Sequence, residues 1–220
     1  MELAYPLNNM RWSPWIGIGL LLIFYSIGIA GILLPIHPDF ILLTPANLLV
    51  SLLIVLAFHR PWTRSFLYFL LLCYAIGFAA EWLGVQTGLL FGSYAYGHVL
   101  GPKAGGTPLI IGINWILLTY SSAMLVQALG SGRRPWWLRA LLSTLLMVGL
   151  DVLIEPVAVQ QGFWSWAGGE IPLHNYLGWT AVAFPLQLAY HKKVEAQTNY
   201  VAAALFILQF IFFLVIGLFG

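Results

Sequence analysis

The sequence predicts an all-α, polytopic integral membrane protein with seven transmembrane helices. Three observations predict it. Hydrophobic residues make up 61% of the 220 and charged residues only 7%, against roughly 25% charged in a soluble domain; too few polar side chains exist to coat a globule, so a bilayer is the expected solvent. Apolar runs long enough to cross roughly 30 Å of hydrocarbon recur seven times along the chain. The basic residues then sort between alternate loops: Arg11, Arg60, Arg64, Arg133, Arg134, Arg139, Lys192 and Lys193 fall on one side, with Lys103 alone on the other. Excess positive charge marks the cytoplasmic face, which predicts a cytoplasmic N-terminus, an outside C-terminus and a multi-pass protein of the plasma (inner) membrane.

Taken in order, the spans cover about 14–34, 40–58, 66–84, 108–129, 138–156, 174–190 and 200–219, and residues 1–220 read as a single seven-span membrane domain. The first opens with Ser13 as a plausible N-cap and Pro14 at the first helical position, a usual start signal. Pro45 in the second span and Pro185 in the sixth are expected to kink those helices. The third contains Cys73, the single cysteine, which can form no internal disulfide and reads as a small buried hydrophobe. Spans three and five run outward and carry Glu81, Asp151 and Glu155 in their outer ends; spans four and six run inward and carry Asn114, His174, Asn175 and Trp179 in their outer halves. Four helices thereby aim polar side chains at one depth. The N-terminus lacks a basic segment, short apolar core and small-residue cleavage site, so no cleaved signal peptide is expected.

The most informative stretch is Gly149 to Trp166, GLDVLIEPVAVQQGFWSW. Asp151 and Glu155 stand four residues apart, on one helix face and one turn apart. Insertion scales charge an aspartate at the centre of a membrane helix about 2.5 to 3.5 kcal/mol, so two such acids require a reason. The two long outer loops, residues 85–107 and 157–173, are rich in Gly and aromatics and nearly free of charge. Both are expected to fold back over the bundle and cap a cavity, since irregular backbone at that depth must be buried in protein or line one; the competing reading is an interfacial aromatic belt.

An internal echo links these segments. Glu81 precedes Gly88 by seven residues and Glu155 precedes Gly162 by seven; Pro108-Leu109 precedes Trp115, and Pro172-Leu173 precedes Trp179, by the same interval. Spans three and four therefore resemble spans five and six as a parallel repeat about an axis along the membrane normal. Glu81 and Glu155 become pseudo-equivalent, whereas Asp151 has no acidic counterpart, its matching position being Gly77.

The stretches EWLGVQTGLLFGSY at 81–94, GGTPLIIGINW at 105–115, DVLIEPVAVQQGFWSW at 151–166 and IPLHNYLGW at 171–179 resemble the carotenoid biosynthesis membrane proteins over roughly residues 66–190. That family includes the gamma-carotene 1'-hydratases and bisanhydrobacterioruberin hydratases, which add water to terminal double bonds of acyclic carotenoid ends. The resemblance implies a hydratase, working without a cofactor on a lipid-soluble carotenoid. The membrane lycopene cyclases look like distant cousins.

The residues suit such chemistry. Hydrating an unactivated trisubstituted alkene needs a proton on the less substituted carbon, giving a tertiary cation that water captures. A carboxylic acid in an apolar pocket can stay protonated near neutral pH to supply it, and a second, ionised carboxylate can hold the water. Glu81, Asp151 and Glu155 are the expected acid–base set, with Asp151 the favoured donor because it lies a turn deeper than Glu155. Asn114, His174 and Asn175 are expected to position water. Trp82, Tyr94, Tyr96, Trp115, Trp164, Trp166 and Trp179 offer faces to a cation, worth about 2 kcal/mol or more each when desolvated. The alternative for each acid is an interhelical hydrogen bond.

Other classes fit less well. A net charge of +2 with nine Lys and Arg gives no patch for nucleic acid. His37 and Asp39, in the PIHPDF turn, could join Glu81 and Asp151 around a metal, but no close His pair stands at a ligand spacing, so no metal is expected. His98 is a lone loop histidine. His59 and His191, among basic residues on the cytoplasmic side, are expected to be solvated. A retinal protein needs a Schiff-base lysine in the last span, and residues 200–219 contain none. A carrier would need a second polar set near the cytoplasmic face. A cyclase would use the same donor in a dry pocket, and Gln86, Thr87, Asn114, Gln160 and Asn175 make the outer cavity look wet, which favours hydration. The sequence is silent on oligomeric state.

Overall fold

The computed structural model describes residues 13–34, 36–130, 134–194 and 197–220. Seven long helices alternate in direction: α1 (Pro14–Leu33), α2 (Thr44–Ala57), α3 (Arg64–Thr87), α4 (Ile110–Ala128), α5 (Trp136–Gln160), α6 (Leu173–Lys193) and α7 (Tyr200–Phe219). Six, counting α2 with the 3-10 turn Phe40–Leu43 that leads into it, are long and apolar enough to cross a membrane. The remaining helix, α6, has 21 residues, ample length at 1.5 Å per residue, but a more polar composition. Its polar groups are used inside the bundle: Gln187 donates to the Thr119 carbonyl (3.0 Å) and Ser122 Oγ (2.9 Å) of α4. The fold is thus all-α and of membrane-protein type.

Local chemistry sets the helix ends. Pro14 does occupy the first turn of α1, but the Ser13 hydroxyl makes no capping bond. Thr63 caps α3 by accepting from the Phe66 N–H at 3.2 Å, and Asn199 caps α7 by accepting from Val201 and Ala202. Pro45 does not kink a helix interior, as the sequence suggested. It sits in the first turn of α2, where its missing N–H costs no hydrogen bond. Helices α3 and α5 run farther than the hydrophobic runs imply, to Thr87 and Gln160, so their acids lie within helix and not at its end.

The helix ends segregate charge. Arg60, Arg64, Arg134, Arg139, Lys192 and Lys193 lie at the starts of α3 and α5 or the end of α6, and Lys103 lies in the loop at the other end; Arg11 and Arg133 fall outside the described residues. The two histidines at the basic end are not solvated, contrary to expectation. His59 is fully buried, stacked on Phe66 at 3.4 Å. His191 is also buried and bonds Ser143 Oγ at 3.0 Å. Each ring finds polar partners within the bundle, so the neighbouring cations do not draw it into water.

At the opposite end the two long loops pair. Strand β1 (Tyr94–Tyr96) runs antiparallel to a strand from the second loop, Trp164–Trp166, with Tyr94 opposite Trp166 and Tyr96 opposite Trp164. Between them in sequence, β2 (Lys103–Ala104) and β3 (Thr107–Pro108) form a small hairpin; Trp164–Trp166 is β4. The predicted repeat is visible in geometry. Both α3 and α5 are followed by a left-handed glycine seven residues after the glutamate, Gly88 at φ 67° and Gly162 at φ 70°, a conformation that disfavours any side chain with a Cβ. Trp115 and Trp179, the matched tryptophans, stack on one another at 4.5 Å and 17°.

Candidate active site

The halves of α3, α4, α5 and α6 away from the basic end enclose three carboxyl groups, roofed by the paired strands. Glu81, Asp151 and Glu155 are all buried. Alternation along a strand puts residues two apart on the same side, so Tyr94 and Tyr96 of β1, and Trp164 and Trp166 of β4, can both reach down to the helix below.

Glu81 accepts three hydrogen bonds. Tyr94 and Tyr96 donate their hydroxyls to Oε2 at 2.6 and 2.7 Å, and Trp115 Nε1 donates to Oε1 at 3.1 Å. Burial, and next the Glu81 charge, push both phenols well above the usual tyrosine range, which keeps them O–H donors at every working pH. Glu155 repeats the pattern with different chemistry. Trp164 Nε1 and Trp166 Nε1 donate to Oε2 at 3.0 and 2.9 Å, and Asn175 Nδ2 donates to Oε1 at 3.0 Å. Three donors meet each glutamate, and at Glu155 none of the three can accept, which is the company of an acceptor-only carboxylate.

Asp151 is coordinated differently. The same Asn175 Nδ2 donates to its Oδ2 at 2.9 Å, so one amide nitrogen spends its two protons on two carboxyl groups. The other oxygen, Oδ1, is buried and has no hydrogen-bond partner among the described residues. Every other carboxyl oxygen of the cluster accepts at least one hydrogen bond.

The remaining candidates fall elsewhere. Trp82 is 41% exposed and lies against Gly105 outside the cluster, so it offers no face to this site. His174 is exposed and donates to the Leu89 carbonyl, tying the start of α6 to the loop after α3. Asn114 is half-buried and lines a separate cavity. Trp179 reaches the cluster through its stack on Trp115. Of the residues read as making the site wet, Gln86 bonds the Gly105 carbonyl, Thr87 bonds the Leu83 carbonyl, and Gln160 is exposed; Asn175 alone meets the carboxyls. Among the described residues no three His, Cys, Asp or Glu side chains gather as metal ligands, and His37 bonds the Asp39 N–H in its own turn.

Next to the cluster lies a cavity of about 330 Å³ between α1, α2, α7 and the facing edges of α4 and α5. Its wall is largely aliphatic and phenyl, and it includes Ile154 and Trp164. Trp164 is therefore shared: it lines the cavity and its N–H holds Glu155. Phe24, Ile27 and Leu43, also in the wall, are exposed on the outer apolar surface of the bundle. Sequence reasoning missed this cavity and its polar members Asn47 and Gln209, whose side-chain oxygens are buried without hydrogen-bond partners among the described residues. The available signal was Gln209 itself, the lone amide in the otherwise apolar α7.

The model of the family described as "Carotenoid biosynthesis protein" matches residues 41–219. The bisanhydrobacterioruberin hydratase of Haloarcula japonica is 35% identical over 107 residues, which are 46% of this chain and 36% of that protein. The match thus spans about a third of the relative's length. No solved structure matches the chain.

Proposed function

The chain belongs to the carotenoid biosynthesis protein family, and on that premise we propose that it is a hydratase adding water to the terminal C=C of an acyclic carotenoid end group. The observation that carries the proposal is the unequal coordination of three buried carboxyl groups, with Asp151 Oδ1 alone lacking a partner. Two carboxyls held by one amide nitrogen repel each other if both are charged, so the Asp151–Glu155 pair favours holding one proton. That proton resides on Asp151, because Glu155 is already satisfied as an acceptor by three donors.

Asp151 Oδ1 gives its proton to the less substituted alkene carbon, and the π pair becomes the new C–H bond. The tertiary cation that results lies among indole and phenol rings, which stabilise it without bonding to it. Water adds to the cation, and the proton it sheds returns to the Asp151–Glu155 pair. The product is a tertiary alcohol, and the pair ends in the protonation state in which it began. Glu81, fixed by three donors, adds negative potential where the cation forms. The lipid-facing cavity, sharing Trp164 with the Glu155 site, suits the apolar remainder of the substrate. The relative's name, a hydratase, supports addition of water over the other outcomes.

A cyclase using the same donor is the second reading. It is favoured by the aromatic roof and by the placement of Gln86, Thr87 and Gln160 away from the acids, which leaves a drier site. Co-expression in bacteria that accumulate lycopene or gamma-carotene, with pigment mass spectrometry, separates the readings. A product heavier by one water is expected. An isomer of unchanged mass would establish the cyclase, and unchanged pigment with both substrates would overturn the enzymatic reading in favour of a carrier.

A further inference from the structure

At the basic end, farthest from the carboxyl cluster, a polar pocket of about 350 Å³ opens where the end of α4, the start of α5 and the end of α6 meet. Among the described residues its wall contains Gln127, Arg139, Tyr190, His191, Lys192 and Lys193, and no carboxylate. Cations in the last turn of α6 are expected on general grounds, since they complement the helix dipole. That account does not reach two further groups. The Tyr190 hydroxyl, on a residue only 2% exposed, has no hydrogen-bond partner among the described residues, and neither does the buried Nε of Arg139. Both donors belong to side chains that line this one pocket, and a buried donor left unpaired is costly.

The surroundings hold these groups in place. His191 is bonded to Ser143 Oγ at 3.0 Å, which locks the end of α6 to the first turns of α5. Lys192 Nζ lies 5.0 Å above the Trp136 ring, an attraction that keeps it at the rim. Fixed donors at the back and ammonium groups at the mouth ask for a compact oxyanion with several acceptor oxygens, which a guanidinium recognises well. The pocket also lies at the helix ends, the depth of the headgroups if the bundle spans a bilayer, where basic pockets between helices take anionic lipid heads.

The geometry points to a phosphate-binding site, formed by Arg139 and Tyr190 with Lys192 and Lys193 at its mouth. The phosphate belongs either to an anionic phospholipid or to a soluble phosphate, and the chemistry of recognition is the same. The full chain, purified in detergent, is titrated with phosphatidylglycerol and with phosphatidylcholine and the adducts are counted by native mass spectrometry; inorganic phosphate is then added as competitor. Selective retention of phosphatidylglycerol, unaffected by millimolar phosphate, identifies a lipid headgroup; displacement by phosphate identifies a soluble ligand. In either case R139Q and the gentler Y190F are each expected to weaken binding about tenfold, whereas R64Q, at the same end but outside the pocket, leaves it unchanged. Equal binding by wild type, R139Q and Y190F, or a loss in R64Q as large as in R139Q, would show diffuse charge attraction and overturn the site.

Discussion

Glu81 and Glu155 each meet three donors, while Asp151 meets one and leaves Oδ1 bare. Asp151→Asn is close to isosteric, and its amide oxygen can go on accepting from Asn175, so the variant is expected to fold. It has no acidic proton to give. Pigment conversion by D151N should fall by at least about 10²-fold, the usual contribution of a positioned general acid, while its elution profile and Tm match wild type. Near-normal conversion would move the donor elsewhere. The three acids were legible in the sequence because carboxylates are rare in apolar helices. The use of the aromatics was not. Tyr94, Tyr96, Trp164 and Trp166 read equally well as ring faces, and only strand pairing reveals that their polar hydrogens are aimed at carboxyls. His59 and His191 misled because adjacent cations suggest solvent, while the hydrogen-bond partners that hold them inside, Tyr120 and Ser143, come from distant parts of the chain.

At the scale of elements, the repeat explains the asymmetry of the acids. Gly77, the counterpart of Asp151, lies directly against the Trp115 ring, so a side chain there would displace the indole that holds Glu81 and stacks on Trp179. One half of the repeat therefore supplies an indole where the other supplies a second acid. The spacing of matched Glu, Gly and Trp pairs was readable in sequence; the pairing of β1 with β4 was not, since three-residue strands carry too little alternation to register. That pairing depends on a close approach. The Gly97 N–H donates to the Phe163 carbonyl at 2.8 Å, and a Cβ on Gly97 would collide with the Gly162 carbonyl. Gly97→Ala is expected to push the loops apart, to destabilise the fold by about 1–3 kcal/mol as overpacking does, and to lower conversion because Tyr96 and Trp164 shift with their strands. Thermal melts and pigment assays on G97A check this; an unchanged Tm would show that the loops have slack.

The whole molecule is polarised, with six described cations at one end and the described acids toward the other. If the basic end faces the cytoplasm, alkaline phosphatase fused after Gly220 is active in bacteria and a fluorescent protein fused there is dark; the reverse would invert the topology. The basic end is also where distant elements are tied together. His59 Nε2 donates to the Pro61 carbonyl (3.0 Å), which leaves Nδ1 to accept from the Tyr120 hydroxyl (2.7 Å), and Asn199 donates to that hydroxyl at 3.1 Å and to the Val55 carbonyl at 2.9 Å. The network joins α2, α4 and α7 and requires a neutral imidazole, because a protonated Nδ1 could no longer accept. Burial first, and then the Arg60 charge, lower the His59 pKa to about 4, against the pull of the Pro61 carbonyl. A histidine is ordinarily half-protonated near pH 6.5, so the unfolded chain takes up a proton before the folded one does. The stability contributed by neutral His59 is therefore complete above about pH 6.5, declines as the pH falls toward 4, and amounts to about 3 kcal/mol in all. Wild-type Tm should drop between pH 7 and pH 4. H59N, with nothing to titrate at that position, should be less stable than wild type at pH 7 and lose less on acidification; parallel Tm profiles for the two proteins would place the acid sensitivity in some other group.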